Sequence, residues 1–202
     1  LVLLSAGTLF VAFSLGNAAA ISAGLYYLPH SVFVSAALFL LADVIGRHRG
    51  GNGDYLVEIA PMARKTLPAA LFLIAALSIA GLPPLSGFIG KLQLLNAVPE
   101  AQTGWLWTVI LGSSLMTIIG LSRSGTRLFW RVDPAPDTTP PPPLRRVEVG
   151  ATVILLAYGI AMTLFAGPVL RYTDATADQV LDVNTYIQVL RDTTPLIREP
   201  AR

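Results

Sequence analysis

Lys91 stands inside an apolar stretch of membrane length, TLPAALFLIAALSIAGLPPLSGFIGKLQLLNAV, which runs from Thr66 to Val98. A charged side chain near the centre of a helix in lipid costs at least about 2.5–3.5 kcal/mol, so chains carry one there mainly where it faces protein or water. Lys91 is therefore a candidate ion-handling residue. The alternative is a lysine whose stem reaches the interface: Pro99 lies eight residues on, about 12 Å along a helix, and a lysine can snorkel part of that distance.

The break ahead of Lys91 favours the first reading. Gly81, Pro83, Pro84 and Gly87 fall within seven residues, and proline lacks the N–H and clashes with the preceding turn, so no undisturbed α-helix runs through them. Backbone groups freed at membrane depth are tolerated only where protein or a water-filled cavity satisfies them, and discontinuous helices of this kind form ion sites. Ser86 is placed to cap the second half-helix.

His30 follows Pro29 near the middle of a second apolar segment. Imidazole titrates near neutral pH and carries a proton between its two nitrogens, which suits a relay; a neutral ring bonded to a carbonyl freed by Pro29 is the plainer alternative. Ser31, Ser35, Ser86 and Gln93 could line a polar path, although serines in membrane helices commonly bond their own backbone or help helices pack. Asp43, four residues before Arg47, reads as an interfacial ion pair.

These residues must be positioned by membrane helices. The 202 residues are 53% hydrophobic and 13% charged, with a net charge of +2 and a mean hydropathy of +0.63. That is a membrane protein's composition, and it offers no nucleic-acid surface. The absence of cysteine excludes thiolate catalysis, disulfides and Cys-ligated metal or iron–sulfur sites within these residues. No phosphate loop, nucleophile elbow or HExxH occurs, and GFIG at Gly87–Gly90 lacks the context of a dinucleotide fingerprint. No enzyme site, metal site or cofactor is expected.

At about 20 residues per crossing, the sequence predicts an all-α polytopic bundle of about five spanning segments, 2–15, 18–45, 67–98 broken at 81–87, 105–121 and 149–170. Residues 171–202 form a more polar tail with Val180, Val183, Ile187 and Leu190 at amphipathic spacing. Arg47, Arg49, Arg64 and Lys65 precede the third segment, and Arg123, Arg127, Arg131, Arg145 and Arg146 follow the fourth, while the loop 99–104 has neither Lys nor Arg. The positive-inside rule then makes both basic loops cytoplasmic and the tail extracytoplasmic. Trp105, Trp107 and Trp130, near helix ends, read as interfacial anchors. The opening LVLLSAGTLFVAFSL reads as the inside of a spanning helix, so the chain is expected to be a piece of a longer protein.

YYLPHSVFVSAALFLLADVI at Tyr26–Ile45, KTLPAALFLIAALSIAGLPPLSGFIGKLQLL at Lys65–Leu95 and YTDATADQVLDVNTYIQVL at Tyr172–Leu190 together resemble the proton-translocating antiporter subunits of Mrp-type Na⁺/H⁺ antiporters and respiratory complex I, the D-type subunit of the Mrp complexes above all. The resemblance implies that 1–170 are the C-terminal part of a fourteen-helix transmembrane domain, helices ten to fourteen. It also implies that Lys91 is the proton-carrying lysine of a broken twelfth helix and His30 the histidine of the eleventh. Several relatives have a lysine where this chain has Ser35. The implied function is a subunit of a multisubunit monovalent cation/proton antiporter in a bacterial plasma membrane, with other subunits, lipid, protons and monovalent cations as its partners. The alternative is a proton-pumping subunit of NADH:quinone oxidoreductase or of a membrane-bound hydrogenase.

Overall fold

The computed structural model describes residues 1–47, 49, 65–130 and 145–192, and among them every regular element is helical. In chain order these are α1 (Val2–Ser14), α2 (Ala18–Arg47), α3 (Thr66–Ala80), α4 (Ser86–Asn96), α5 (Glu100–Gly125), which continues as a π-helical turn over Thr126–Trp130, α6 (Arg146–Leu164), α7 (Ala166–Leu181) and α8 (Val183–Asp192). Three are long and apolar enough to cross a membrane alone: α2, α5 with its π-turn, and α6. At 1.5 Å per residue, α3 and α4 are about 22 and 16 Å long, so neither spans a core of about 30 Å by itself.

The central element is α2, which packs against α1, α3, α4, α6 and α7. Its sequence is apolar on nearly every face, as a helix surrounded by other helices requires. Pro29 lies inside it and denies the Leu25 carbonyl its helical partner. Asn17 caps its start, where Oδ1 accepts from the Ala20 N–H at 2.8 Å and Nδ2 donates to the Ala97 carbonyl at 3.1 Å. One side chain thus closes the turn from α1 and fastens the end of α4.

At the other end of the bundle, Ala37, Leu41, Ile45, Leu71, Ala75, Phe129 and Leu156 form one buried cluster drawn from α2, α3, the π-turn and α6. Two polar ties lie there. Arg47 donates to Glu148 through both Nη atoms, at 2.9 Å for the Nη1–Oε1 contact, and pairs with Asp43 at 2.7 Å. Lys65 Nζ donates to the Phe129 carbonyl at 3.3 Å. The basic ends of α2 and α5 therefore share one end of the bundle with the starts of α3 and α6. Arg64 and Arg131 lie outside the described residues.

Two boundaries differ from the sequence expectation. The fourth segment, expected over 105–121, begins at Glu100 directly after Pro99 and runs on to Trp130; Pro99, with its φ of −59°, sets the chain up to enter a helix. The fifth, expected over 149–170, stops at Leu164, and α7 starts at Ala166. Pro168 explains the division, because it cannot donate to the Leu164 carbonyl yet is tolerated in the first turn of a new helix. The first turns of the expected tail are thus the body of α7, which lies against α2. Ser22 Oγ donates to Asp174 Oδ1 at 2.5 Å and lies 2.9 Å from Thr173 Oγ1.

Candidate functional site

The site grows out of the way α3 ends. An α-helix leaves its last four carbonyls without intrahelical partners. In α3 these belong to Leu77, Ser78, Ile79 and Ala80. Gly81, at φ 78° in the left-handed region, folds the chain back so that its own N–H donates to Ser78 O at 3.2 Å and the Leu82 N–H donates to Leu77 O at 3.1 Å. This is a Schellman closure, and it satisfies the first two carbonyls. The other two are taken by Lys91, whose Nζ donates to Ile79 O at 3.2 Å and to Ala80 O at 3.1 Å.

The third donor of Lys91 goes to Ser114 Oγ of α5 at 3.0 Å. An ammonium has three N–H donors and no acceptor, so these three partners satisfy it in full. A neutral amine keeps two donors and gains a lone pair, while a serine hydroxyl can either donate or accept. Both charge states of Lys91 can thus be satisfied here by rotating one hydroxyl, with no movement of the backbone. The residue is 6% exposed, so water supplies little of this. Gly81 also makes room for the lysine stem: a Cβ there would sit 2.8 Å from Lys91 Cδ.

His30 approaches the same helix end from α2. It is fully buried, and its Nδ1 lies 2.8 Å from Ser86 Oγ, the first residue of α4. Ser86 therefore does not cap α4 through its hydroxyl, contrary to the sequence expectation; Leu85 stands at the cap position with no side-chain bond, and the Ser86 hydroxyl is committed to the imidazole. The Nε2 edge faces the Ser78 carbonyl across Gly87, where a Cβ would press on both groups. Glycine at 87 is what lets the imidazole, the end of α3 and the start of α4 converge. The carbonyl of Ser78 is next in sequence to the two that hold Lys91.

Other candidates fall differently. Ser31 is buried one position beyond His30. Ser35 is half-buried and lines a separate apolar cavity with Leu38, Phe72 and Leu121. Gln93 is half-buried, two residues from Lys91 and so turned about 200° around the helix from it. The structure gathers Lys91, His30, Ser86, Gly81 and Gly87, with Pro83 and Pro84 in the connection, and leaves Ser35 and Gln93 apart. Ser114 was missed because a serine in a long apolar helix carries no periodic signal. Only Lys91, bonded to it across the bundle, singles it out. The described residues contain no group of three or more His, Asp or Glu side chains able to hold a metal ion. Trp107 Nε1 donates to Leu95 O at 3.1 Å near the end of α4.

A helix interrupted in mid-bundle, with its loose carbonyls held by a buried lysine next to a buried histidine, within helices long and apolar enough to span, is the architecture of a polytopic membrane protein with an ionisable interior. Residues 5–117 match the family described as NADH:quinone oxidoreductase/Mrp antiporter, transmembrane, and the chain belongs to that family. A probable K⁺/H⁺ antiporter D-type subunit from Rhizobium meliloti is 32% identical over 89% of this chain and 38% of the relative. A Na⁺/H⁺ antiporter D-type subunit from Alkalihalophilus pseudofirmus is 31% identical over 84% of this chain and 34% of its own length. An N-type NADH-quinone oxidoreductase subunit from Sorangium cellulosum is 27% identical over 81% and 32%. The chain thus spans about a third to two fifths of these relatives.

Proposed function

We propose that this chain is part of a subunit of a multisubunit monovalent cation/proton antiporter, and that Lys91 and His30 carry protons along its interior. The observation that supports this most is the complete set of partners around Lys91, two carbonyls of a broken helix and one reversible hydroxyl, which serves the ammonium and the neutral amine alike. A lysine snorkelling to the interface would not end on the carbonyls of its own broken helix. His30 passes protons between Ser86 and the end of α3, with bound water completing the path to Lys91. Ser31 remains a candidate for lining it.

The protein lies in a bacterial plasma membrane, with the basic end of the bundle cytoplasmic and α7 and α8 on the opposite side. Its partners are the other subunits of the complex, lipid, and the exchanged protons and monovalent cations. The antiporter relatives, which match over more of the chain, 84% and 89% against 77% and 81% for two oxidoreductase relatives, favour this over membership of a redox-driven proton pump. The oxidoreductase relatives keep that second reading in view.

The test is Na⁺- and K⁺-dependent proton flux in everted vesicles carrying the full-length complex, with wild type compared with Lys91→Ala under an imposed gradient. Loss of flux in a normally assembled complex is the expected result. Intact flux would reduce Lys91 to a structural charge, and wild-type vesicles without cation-linked flux would favour the redox complex.

A further inference from the structure

Two rings of α2 are seated on two glycines of α4. Tyr27 and His30 stand three residues apart on one face of α2, and Gly87 and Gly90 have the same spacing on α4. A Cβ on Gly87 would lie 2.7 Å from His30 Nε2, and one on Gly90 would lie 3.0 Å from Tyr27 Cδ2 and 3.2 Å from its Cβ. Both rings are buried, and their centroids are 5.3 Å apart with the planes inclined at 44°. The tyrosine ring thus rests against the imidazole, within the span of about 4.5–7 Å over which aromatic pairs attract. This contact matters because an imidazole does not fix its own plane. The second side-chain torsion of histidine is broad and roughly two-fold, so neighbours decide where Nδ1 and Nε2 point. Ser86 Oγ holds Nδ1 at 2.8 Å, and a single hydrogen bond leaves the ring free to swing about it. The Tyr27 ring closes off that swing, and the backbone of α4 at Gly90 stands against it on another side.

We propose that Tyr27 is a positioning residue for His30: its ring, seated on Gly90, clamps the imidazole so that Nδ1 stays at Ser86 and Nε2 stays at the end of α3. The proposal rests on the reading of His30 as a proton carrier. In the clamped orientation a proton taken up at one nitrogen is matched by release of the N–H proton at the other, and it crosses without the ring turning over. Without the clamp, a half-turn of the ring puts carbons where the nitrogens stood and breaks the hydrogen bond to Ser86. The clamp needs the tyrosine ring and not its hydroxyl. The structural alternative is a ring that only fills space between α2 and α4.

The experiment uses the assembled full-length complex in lipid and compares Tyr27→Leu, Tyr27→Phe and Gly90→Ala with wild type and with His30→Gln. It reads Na⁺- and K⁺-dependent proton flux, melting temperature and the nitrogen resonances of the His30 imidazole, assigned by their absence from His30→Gln. Tyr27→Leu is expected to slow flux about two- to tenfold, the range that an aromatic pair is worth beyond its buried area, and to shift or split the His30 resonances. Tyr27→Phe, which keeps the ring, is expected to restore both. Gly90→Ala presses on the ring, which must give by a few tenths of an ångström, and is expected to shift the same resonances. A space-filling ring behaves differently: Tyr27→Leu then lowers the melting temperature while flux and His30 resonances stay as in wild type, and that result overturns the proposal. Flux in Tyr27→Phe as slow as in Tyr27→Leu overturns it too, because the hydroxyl and not the ring would then be at work. Should Tyr27→Leu fail to assemble, unchanged His30 resonances in Gly90→Ala overturn it equally. Normal flux in Tyr27→Leu beside lost flux in His30→Gln sinks the clamp alone. Intact flux in His30→Gln sinks the carrier reading and the clamp together.

Discussion

Replacing Gly81 by alanine perturbs the site at its most constrained point. The left-handed conformation at φ 78° costs an L-residue about 1–2 kcal/mol. The new Cβ also falls 2.8 Å from Lys91 Cδ and 3.2 Å from Nζ, so the lysine stem must shift. If the shift costs Nζ one of its carbonyl partners, a hydrogen bond from a charged group worth about 1.5–3 kcal/mol goes with it. The total for Gly81→Ala is then about 2.5–5 kcal/mol. In a Lys91→Ala background the stem is gone and only the backbone term of about 1–2 kcal/mol remains. Melting temperatures of the four purified full-length proteins in detergent form a double-mutant cycle. Gly81→Ala should cost about 1.5–3 kcal/mol more with Lys91 present than without it, read as the larger fall in melting temperature. An equal cost in both backgrounds would refute the argument that Gly81 is there to seat the lysine.

Ser114→Ala removes the one partner of Lys91 that can reverse its role, at about 1.5–3 kcal/mol, and should slow cation-linked flux about tenfold or more. Ser113→Ala, which loses only a bond to the Ile110 carbonyl of its own helix, should leave flux unchanged. At the junction of α7 and α8, the hydroxyl and then the amide of Thr185 hold the Asp182 carboxyl below the usual carboxylate range. A carboxyl shifted down in the folded state stabilises above its unfolded value, about 3.9, and that contribution is lost as pH falls through the lower folded value. Exchange of the Thr185 amide, measured against pH in the full-length chain, should therefore accelerate relative to the unfolded rate only at strongly acid pH, and Asp182→Asn should remove that dependence.

Much of the interior was legible because membrane chemistry leaves few options. Lys91 in an apolar run, and two prolines with a glycine ahead of it, cannot be reconciled with an unbroken, lipid-facing helix. The details were not legible for specific reasons. Ser86 fits a cap from its sequence position, yet its hydroxyl serves His30, because the partner of a side chain is set by a helix 56 residues away. Glu148 and Ser114 find Arg47 and Lys91 across the bundle, which their own stretches of sequence do not signal. Pro168 divides α6 from α7 although hydrophobicity runs on through Val169 and Leu170, so a length-and-hydropathy argument passes over the boundary.

Pro29 gives α2 the mechanics of a lever. The segment before it, 18–28, is tied to α7 through Ser22, while the residue just after it is His30, held by Ser86. Ser22 lies seven residues from Pro29, about 10 Å along the axis, so a tilt of about 5° about the proline displaces Ser22 by about 1 Å. A tilt of that kind would shift α7 and turn the imidazole relative to Ser86 together. A force applied to α7 would then reach the buried imidazole of His30 without entering the bundle.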